Sequence, residues 1–320
     1  VLEYRGHDPR EAWSNTVAVA EAAELLGFES LWLYDHFHTW PTPQQAIVFE
    51  PFVALSALAA LTEHVRLGHI VICTGFRNPA LTAKMIATLD VISDGRAELG
   101  IGAGWKREEW EAFGYDFPAT RDRLARLGDD LEVITRMLDG RAEGGAVYEG
   151  KWSRVDGAIN QPKPLQHPRV PVMVGGNGPK VTWRLAARYA DELNLDGMDP
   201  AAVAEALPVI RARCEEIDRD PATLKVSVHT WYEAPGVSTA GRQRQDLYGA
   251  YAELGLSRVQ SYVDGLADGT DALDAFAEDL RAAGVSLHHQ GRAAKASSRA
   301  ACSSRMVASA TPGQANQCRT

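Results

Sequence analysis

The sequence predicts a (β/α)8 barrel, an α/β fold in which eight parallel strands alternate with helices. Short apolar segments of strand length alternate with amphipathic segments of helix length. The strand segments are apolar on both faces, which is typical of a parallel sheet covered by helices. The length of 320 residues, with 45% hydrophobic and 23% charged residues, suits one such barrel. A doubly wound open sheet is the alternative, but eight strand–helix units in this length favour a closed barrel.

The first half of the chain contains four predicted strands. Residues 2–4 form the stub of the first strand, and residues 11–27 form a helix that ends at Gly27. The other elements expected in this half are strands at 30–35, 65–74 and 97–104 and helices at 51–63, 79–92 and about 118–139.

The second half continues the alternation after an insertion rich in Gly and Pro at 140–169. A helix beginning at Pro179 follows the strand at 170–176, because proline suits the first helical position. The remaining strands, each followed by a helix, are expected at 191–196, 225–231 and 257–263. We therefore expect one barrel over 1–284.

The tail at 285–320 differs in composition from the rest of the chain. It contains no Asp or Glu and shows no apolar period. We interpret it as a disordered, basic, low-complexity tail or an aberrant reading-frame extension. A basic arm that binds RNA or a membrane is the alternative.

Charge and composition exclude several classes of partner. The net charge of −9 argues against nucleic acid, because phosphate binding relies on a basic face. No uncharged apolar run is long enough to span a bilayer, and the opening VLEYRGHDP lacks a signal-peptide pattern. The four cysteines form neither a paired framework nor a metal motif. We expect a cytoplasmic protein with no membrane, nucleic-acid or metal partner.

Candidate catalytic residues follow the second strand, because barrel enzymes place their chemistry at the carboxyl ends of strands. Asp35 and His36 stand there side by side, with Phe37 and Trp40 after them. A carboxylate can orient an imidazole, and His suits proton transfer near neutral pH. A capping Asp with a structural His is the alternative.

The third, fourth and fifth strand ends are candidate ligand walls. Residues 70–74 could back a flat aromatic ring, with the Thr74 hydroxyl at its polar edge, although a buried strand explains them as simply. The glycines of 100–105 allow a ligand close to the backbone. Residues 175–178 precede a helix, where backbone N–H groups make a phosphate site, and a plain turn is the alternative. We interpret Glu108 and Glu109 as solvated charges at a helix start.

The last strand ends carry candidate residues of a substrate pocket. Asn194 follows the sixth strand, and His229 and Trp231 follow the seventh. The insertion at 140–169 and the loops after strands seven and eight are expected to shape the same pocket.

Three segments together resemble the luciferase-like monooxygenase superfamily, especially its actinobacterial deazaflavin-dependent branch. These are GFESLWLYDHF (27–37), RNPALTAKMIATLDVISDGRAELGIGAGW (77–105) and PVMVGGNGPKVTWRLAARYADELN (171–194). The resemblance spans about residues 5–284 and implies a barrel of the bacterial-luciferase type. In this superfamily a flavin or deazaflavin ring lies in the barrel mouth.

The resemblance also implies residue roles. His36, paired with Asp35, would donate or accept a proton beside the ring, and Trp40 would be a pocket aromatic. A non-prolyl cis peptide at Ile70–Val71 would form a bulge behind the ring. The other implied cofactor contacts are Ala103, Gly104 and Trp105 on the fourth strand end and Gly175, Gly176, Asn177 and Gly178 around the phosphate.

One position departs from the sugar-phosphate dehydrogenases of this superfamily. Trp105 stands where they carry a catalytic Glu, and an indole cannot act as an acid. The departure argues against glucose 6-phosphate and suits an apolar or planar substrate.

The resemblance predicts an oxidoreductase that transfers a hydride between coenzyme F420 and a small organic substrate. The alternative is a monooxygenase that uses reduced FMN from a separate reductase; a non-catalytic flavin-binding protein is a third possibility. A cofactor-free hydrolase or aldolase would need a metal cluster or a Schiff-base lysine at a strand end, whereas Lys84 and Lys180 fall on predicted helices. A homodimer is expected from base rates and from the superfamily.

Overall fold

Strands and helices alternate in the computed structural model, which describes residues 3–39, 44–231 and 240–287. The described strands are β1 (Tyr4–Arg5), β2 (Ser30–Leu33), β3 (Ala46–Ile47), β4 (Arg66–His69), β5 (Ile72–Cys73), β6 (Ala97–Gly102), β7 (Ala146–Glu149), β8 (Arg154–Ala158), β9 (Val172–Gly175), β10 (Glu192–Asp196), β11 (Lys225–Thr230) and β12 (Arg258–Ser261). The described helices are α1 (Pro9–Leu26), α2 (Pro51–Leu61), α3 (Pro79–Ile92), α4 (Arg107–Ala112), α5 (Thr120–Leu138), α6 (Thr182–Tyr189), α7 (Pro200–Glu215), α8 (Arg242–Glu253) and α9 (Asp271–Ala282).

The main sheet is parallel and runs in the order β12-β11-β10-β9-β6-β4-β2. The predicted strand at 65–74 is split into β4 and β5 by the cis peptide Ile70–Val71, and β5 continues the pairing with β6. With β4 and β5 taken as one strand, a helix lies between each strand of this parallel sheet and the next, as predicted. Because all these strand pairs are parallel, the carboxyl ends of the strands lie at the same end of the sheet.

Contacts across the interior show that the sheet curves into a barrel. Arg258 on β12 lies 3.2 Å from the Glu98 carboxylate on β6, although three strands separate β12 from β6 in the sheet. The Arg258 guanidinium also lies 5.4 Å from the centre of the Trp32 ring on β2, at the opposite end of the strand order. An open sheet could not bring these side chains together, so the predicted barrel is confirmed.

The first predicted strand is an exception. Tyr4 and Arg5 pair antiparallel with Ala46 and Ile47, apart from the parallel sheet. Among the described residues no strand pairs with the edges of β2 and β12 that face each other. A largely apolar cavity of about 290 Å³ lies between these strands and is also lined by α1 and α9. The prediction of a parallel strand at 2–4 was therefore wrong for the described residue Tyr4, whose backbone bonds to β3.

The helix ends follow local rules that the sequence displays. The Asp8 carboxylate accepts the N–H of Arg10 at 2.8 Å and so caps α1, which Gly27 closes with a φ of 86°. Asn78 caps α3 in the same way ahead of Pro79, so that helix spans the predicted residues 79–92.

The insertion at 140–169 folds as a hairpin of β7 and β8 on the outer face of α5. The Tyr148 hydroxyl donates to Asp129 on that helix at 2.8 Å. Because the insertion joins a helix to the next strand, it begins and ends at the amino ends of the strands. Its turn extends along α5, where Ser153 donates to Asp130. None of its residues lines the cavity at the carboxyl ends. The expectation that it shapes the substrate pocket was wrong.

The predicted tail lies outside the described residues from 288 onward. Val285 and Leu287, which belong to the first residues of the predicted tail at 285–320, pack against the apolar cluster under α9. The division at residue 284 therefore stays a prediction. In the described ranges no helix combines the length and apolar character that a bilayer crossing requires.

Candidate active site at the barrel mouth

A cavity of about 400 Å³ opens at the carboxyl ends of the strands. Parallel strands place their following loops at one end of a barrel, so residues far apart in sequence meet there. Predicted residues from six strand ends line this cavity, namely Asp35, His36, Ile70, Val71, Ala103, Gly104, Trp105, Gly175, Gly176, Gly178, Asn194, His229 and Trp231.

Two predicted cofactor residues lie outside this wall. The Thr74 hydroxyl is buried and donates to Asp130 on α5. The Asn177 side chain bonds to the backbone of Asp196 with its amide and its carbonyl, at 2.6 and 2.8 Å, and so joins two loops. Trp40 lies outside the described residues, and its place in the pocket stays a prediction.

His36 is held by a carboxylate that sequence reasoning misjudged. His36 Nδ1 lies 2.8 Å from Oε2 of Glu109 on α4. The backbone N–H groups of Phe37 and His38 donate to Oε1 of the same carboxylate at 2.6 and 2.8 Å. The Glu109 side chain is 1% exposed, so its interpretation as a solvated charge was wrong. The short helix α4 carries Glu109 back over the loop that follows β2.

The charge on Glu109 determines which nitrogen of the neutral His36 ring carries the proton. Burial raises the pKa of the Glu109 carboxyl, but the bonds from His36 and the two backbone N–H groups outweigh burial and lower it. Glu109 is therefore ionised at neutral pH and can only accept hydrogen bonds. His36 must donate its Nδ1–H to it, which leaves Nε2 as the nitrogen that can take up a proton.

Asp35 has a different partner from the one that its position suggested. Its carboxylate forms a two-point ion pair with Arg77, at 2.7 and 3.0 Å, and accepts the Cys73 N–H at 2.9 Å. The Asp35 side chain is 1% exposed. The pair ties the end of β2 to the end of β5. Glu109, rather than Asp35, is the carboxylate that orients His36.

One segment of the sequence could have indicated that Glu109 is buried. Within Arg107–Ala112, Trp110 is the large apolar residue, and it is 2% exposed in the structure. One face of that helix therefore had to be buried. Which glutamate shares the face depends on how α4 packs, and a helix of six residues is too short for periodicity to reveal it.

Val71 explains two of the glycines around the cavity. A Cβ at Gly102 or at Gly175 would lie 2.9 Å from a methyl carbon of Val71. Both positions therefore require glycine because the Val71 side chain packs between β6 and β9. Ile70, Val71 and Ala103 together form an apolar wall of the cavity.

The glycine loop after β9 leads into α6 later than predicted. The helix begins at Thr182 rather than at Pro179, and Gly178 accepts the Trp183 N–H at 3.1 Å. Pro179 and Lys180 form a turn, so Lys180 is not on a helix. Thr182 lines the cavity beside Gly176 and Gly178. The start of α6 thus brings its backbone N–H groups and the Thr182 hydroxyl to one end of this cavity, and such donors are the kind that bind anions.

The remaining predicted pocket residues are mainly buried and neutral. The Asn194 amide donates to Ser227 at 2.9 Å and to Gln260 at 3.0 Å. Burial lowers the pKa of His229 to about 4, so this ring is uncharged at neutral pH. The Trp231 indole N–H donates to Asp196 at 2.5 Å.

Comparisons with known proteins agree with this architecture. The family model described as luciferase-like monooxygenase matches residues 3–319. An F420-dependent glucose-6-phosphate dehydrogenase of Intrasporangium calvum is 35% identical over 249 residues, which cover 70% of this chain and 70% of that protein. A protein of the same name from Kineococcus radiotolerans is 35% identical over 195 residues, covering 59% of this chain and 54% of its own length. The chain thus spans about half the length of some curated relatives that it matches.

Solved structures show the same fold. An F420-dependent tetrahydromethanopterin reductase from Methanopyrus kandleri is 26% identical with a TM-score of 0.57, covering 70% of this chain and 62% of that one. A monooxygenase from Streptomyces bottropensis superposes with a TM-score of 0.67 at 22% identity, covering 86% and 95% of the two chains. From the family match over nearly the whole chain and the barrel that it shares with these structures, the protein is a member of the luciferase-like monooxygenase family.

Proposed function

We propose that this protein is an F420-dependent oxidoreductase that transfers a hydride between the deazaflavin and a small organic substrate. The observation that carries the proposal is the pairing of His36 with ionised Glu109 at the wall of a cavity that is also lined by apolar residues. The names of the relatives that are 35% identical support the choice of deazaflavin.

The residues present fit such a cofactor. Ile70, Val71 and Ala103 offer a continuous apolar surface against which a flat ring can lie. The loop Gly175–Gly178 and the Thr182 hydroxyl, at the start of α6, would hold its phosphate. When bound, the deazaflavin supplies a hydride donor or acceptor, and the chain supplies position and proton transfer.

His36 moves the proton that accompanies the hydride. In the direction of oxidation, Nε2 accepts the proton of the substrate hydroxyl, and the imidazolium is stabilised by the Glu109 carboxylate. In the direction of reduction, the same nitrogen returns the proton. The Asp35–Arg77 pair acts indirectly, because it fixes the backbone on which His36 stands.

A titration tests the cofactor. The protein is titrated with F420 and with FMN, and cofactor fluorescence is followed. Binding of F420 alone supports the proposal. Binding of FMN alone would contradict it and favour a monooxygenase supplied by a separate reductase. Tight binding without any turnover would favour a non-catalytic flavin-binding protein.

Replacing His36 tests the catalytic role. His36→Ala is expected to lower kcat by about 10²–10⁴-fold because a general acid–base group is lost. The dissociation constant for F420 should change by no more than about threefold, since His36 is assigned to the proton and not to cofactor binding. His38→Ala removes a neighbouring imidazole outside the cavity wall and is the control. Equal activity of the His36 variant and the wild type would exclude the role.

We also propose that the protein forms a homodimer and that it is cytoplasmic. A homodimer would give twice the mass of 34.8 kDa in light scattering. A cytoplasmic location would be seen by fractionation of the source cell.

A further inference from the structure

We propose that the substrate is an uncharged alcohol or carbonyl compound that carries an apolar or aromatic group, and not a phosphorylated sugar. The inference rests on the proposed function and concerns the same cavity. Three features support it. The cations in the cavity wall are bonded to the protein, an acidic residue lines the cavity, and the Trp105 ring lies beside His36.

The cations in the cavity wall are bonded to the protein itself. The described residues that line the cavity include one lysine, Lys106, and one arginine, Arg123. The Lys106 side chain is buried and donates to the Thr39 carbonyl at 3.0 Å. Arg123 donates to the carbonyls of Gly104, at 3.2 Å, and of Pro118.

Arg123 is constrained further by stacking. Its guanidinium lies 3.9 Å from the centre of the Phe117 ring, and its remaining nitrogen donates to the Thr120 hydroxyl at 3.3 Å. Moving either cation to a substrate phosphate would leave the buried Thr39 carbonyl, or the part-buried carbonyls of Gly104 and Pro118, without a donor, which is costly. A dianionic phosphate would therefore enter the cavity without a cation to receive it.

The described segments that follow β2 and β12 add no positive charge, since residues 34–39, 44–50 and 262–270 contain no Lys or Arg. Of the cations that follow other strands, Arg77 is paired with Asp35, Arg107 is paired with Glu111, and Lys180 lies outside the cavity wall. Asp196, which lines the described cavity, adds a carboxylate instead. The Asp196 carboxylate therefore opposes a second anionic group placed beside it.

Trp105 supplies an apolar surface beside the proton-transfer group. Its ring is edge-on to His36 with 5.9 Å between ring centres, and the residue is 51% exposed. A substrate whose reacting oxygen lies at His36 would cover this indole with an apolar or aromatic substituent. With a deazaflavin bound, the substrate's C–H bond would give its electron pair as hydride to that cofactor, the O–H proton would go to His36, and the C–O bond would become a carbonyl.

Binding to the F420-loaded protein tests the inference apart from turnover. F420 binding is measured first, so its absence refutes the proposed function. With F420 bound, calorimetry compares acetophenone and 1-phenylethanol with glucose 6-phosphate. We expect at least about tenfold tighter binding of the aromatic ligands, from burial of the exposed indole. Binding of glucose 6-phosphate as tight as that of the aromatic ligands, with F420 bound normally, overturns the substrate inference alone.

A matched pair of variants locates the effect. Trp105→Ala should weaken acetophenone binding by about tenfold, because the ligand loses its apolar contact. Phe113→Ala removes a ring that is also 51% exposed but lies outside the cavity wall, and it should leave acetophenone binding unchanged. Equal losses in both variants, or a Trp105 variant that binds as well as the wild type, contradict the assignment.

Discussion

Replacing Glu109 by Gln is the sharpest test of the active-site geometry. Gln keeps an oxygen for the N–H groups of Phe37 and His38, so the loop can keep its shape. It removes the negative charge that lies 2.8 Å from His36 Nδ1. The amide N–H₂ would also face Nδ1 and force it to accept, which moves the ring proton to Nε2. The substitution therefore removes both the counter-ion and the correct tautomer.

The expected loss follows from the distance. At 2.8 Å and an effective dielectric constant near 20, a carboxylate attracts a protonated imidazole by about 6 kcal/mol before desolvation is subtracted. If half of this attraction remains after desolvation, its loss in the variant raises the activation barrier by about 3 kcal/mol, which lowers the rate roughly a hundredfold or more. Since Glu109 acts through His36, F420 affinity should stay within about threefold of the wild-type value.

The assay follows F420 reduction as loss of deazaflavin absorbance. In the His36→Ala background, Glu109→Gln should lower kcat no further, because Glu109 acts through His36. Glu108→Gln is the matched control, since it removes the same charge from the adjacent exposed position of α4. Equal rates for the two variants, or a further large loss from Glu109→Gln in the His36→Ala background, would refute the positioning role.

The other predictions concern stability, measured by denaturant unfolding. Arg77→Met leaves the Asp35 carboxylate, 1% exposed, without its cation and should cost about 3–5 kcal/mol. Arg107→Met, in an exposed pair with Glu111, should cost no more than about 1 kcal/mol, and similar losses would contradict the assignment. Gly175→Ala places a Cβ 2.9 Å from Val71 and should destabilise by about 1–3 kcal/mol. Gly249→Ala, on α8 with no atom within 4 Å, should stabilise by about 0.5–1 kcal/mol, and the opposite order would refute the packing argument.

Much of the fold could be predicted because its signals are local. The predicted end of the first helix at Gly27 and the predicted start of the helix at residue 79 lie within one residue of the observed bounds of α1 and α3. Apolar strand segments separated by amphipathic helices indicated a parallel sheet. The start of α6 was misplaced because a Pro-Lys turn after a glycine loop resembles a first helical turn, and only the bonds actually formed distinguish the two.

The candidate site was predicted in part. Barrel topology alone placed His36, Trp105, Gly175 and Trp231 at one end, and the structure confirms that they line one cavity. Local reasoning paired His36 with its neighbour Asp35. That pairing was wrong, because Arg77 and the Cys73 N–H occupy the Asp35 carboxylate. The position of the 140–169 hairpin was also misjudged, although its helix-to-strand connection already indicated the end of the barrel away from the mouth.

The sequence by itself determined which segments are strands and helices, the barrel class, and the strand ends at which polar residues gather, because these depend on neighbouring residues and on strand direction. Only the tertiary structure decided which acidic side chain pairs with which basic side chain. Glu109 reaches His36 and Arg77 reaches Asp35 across 73 and 42 positions of sequence. A buried carboxylate bonds to whatever donor the packing brings within about 3 Å, and no spacing rule in the chain specifies that donor.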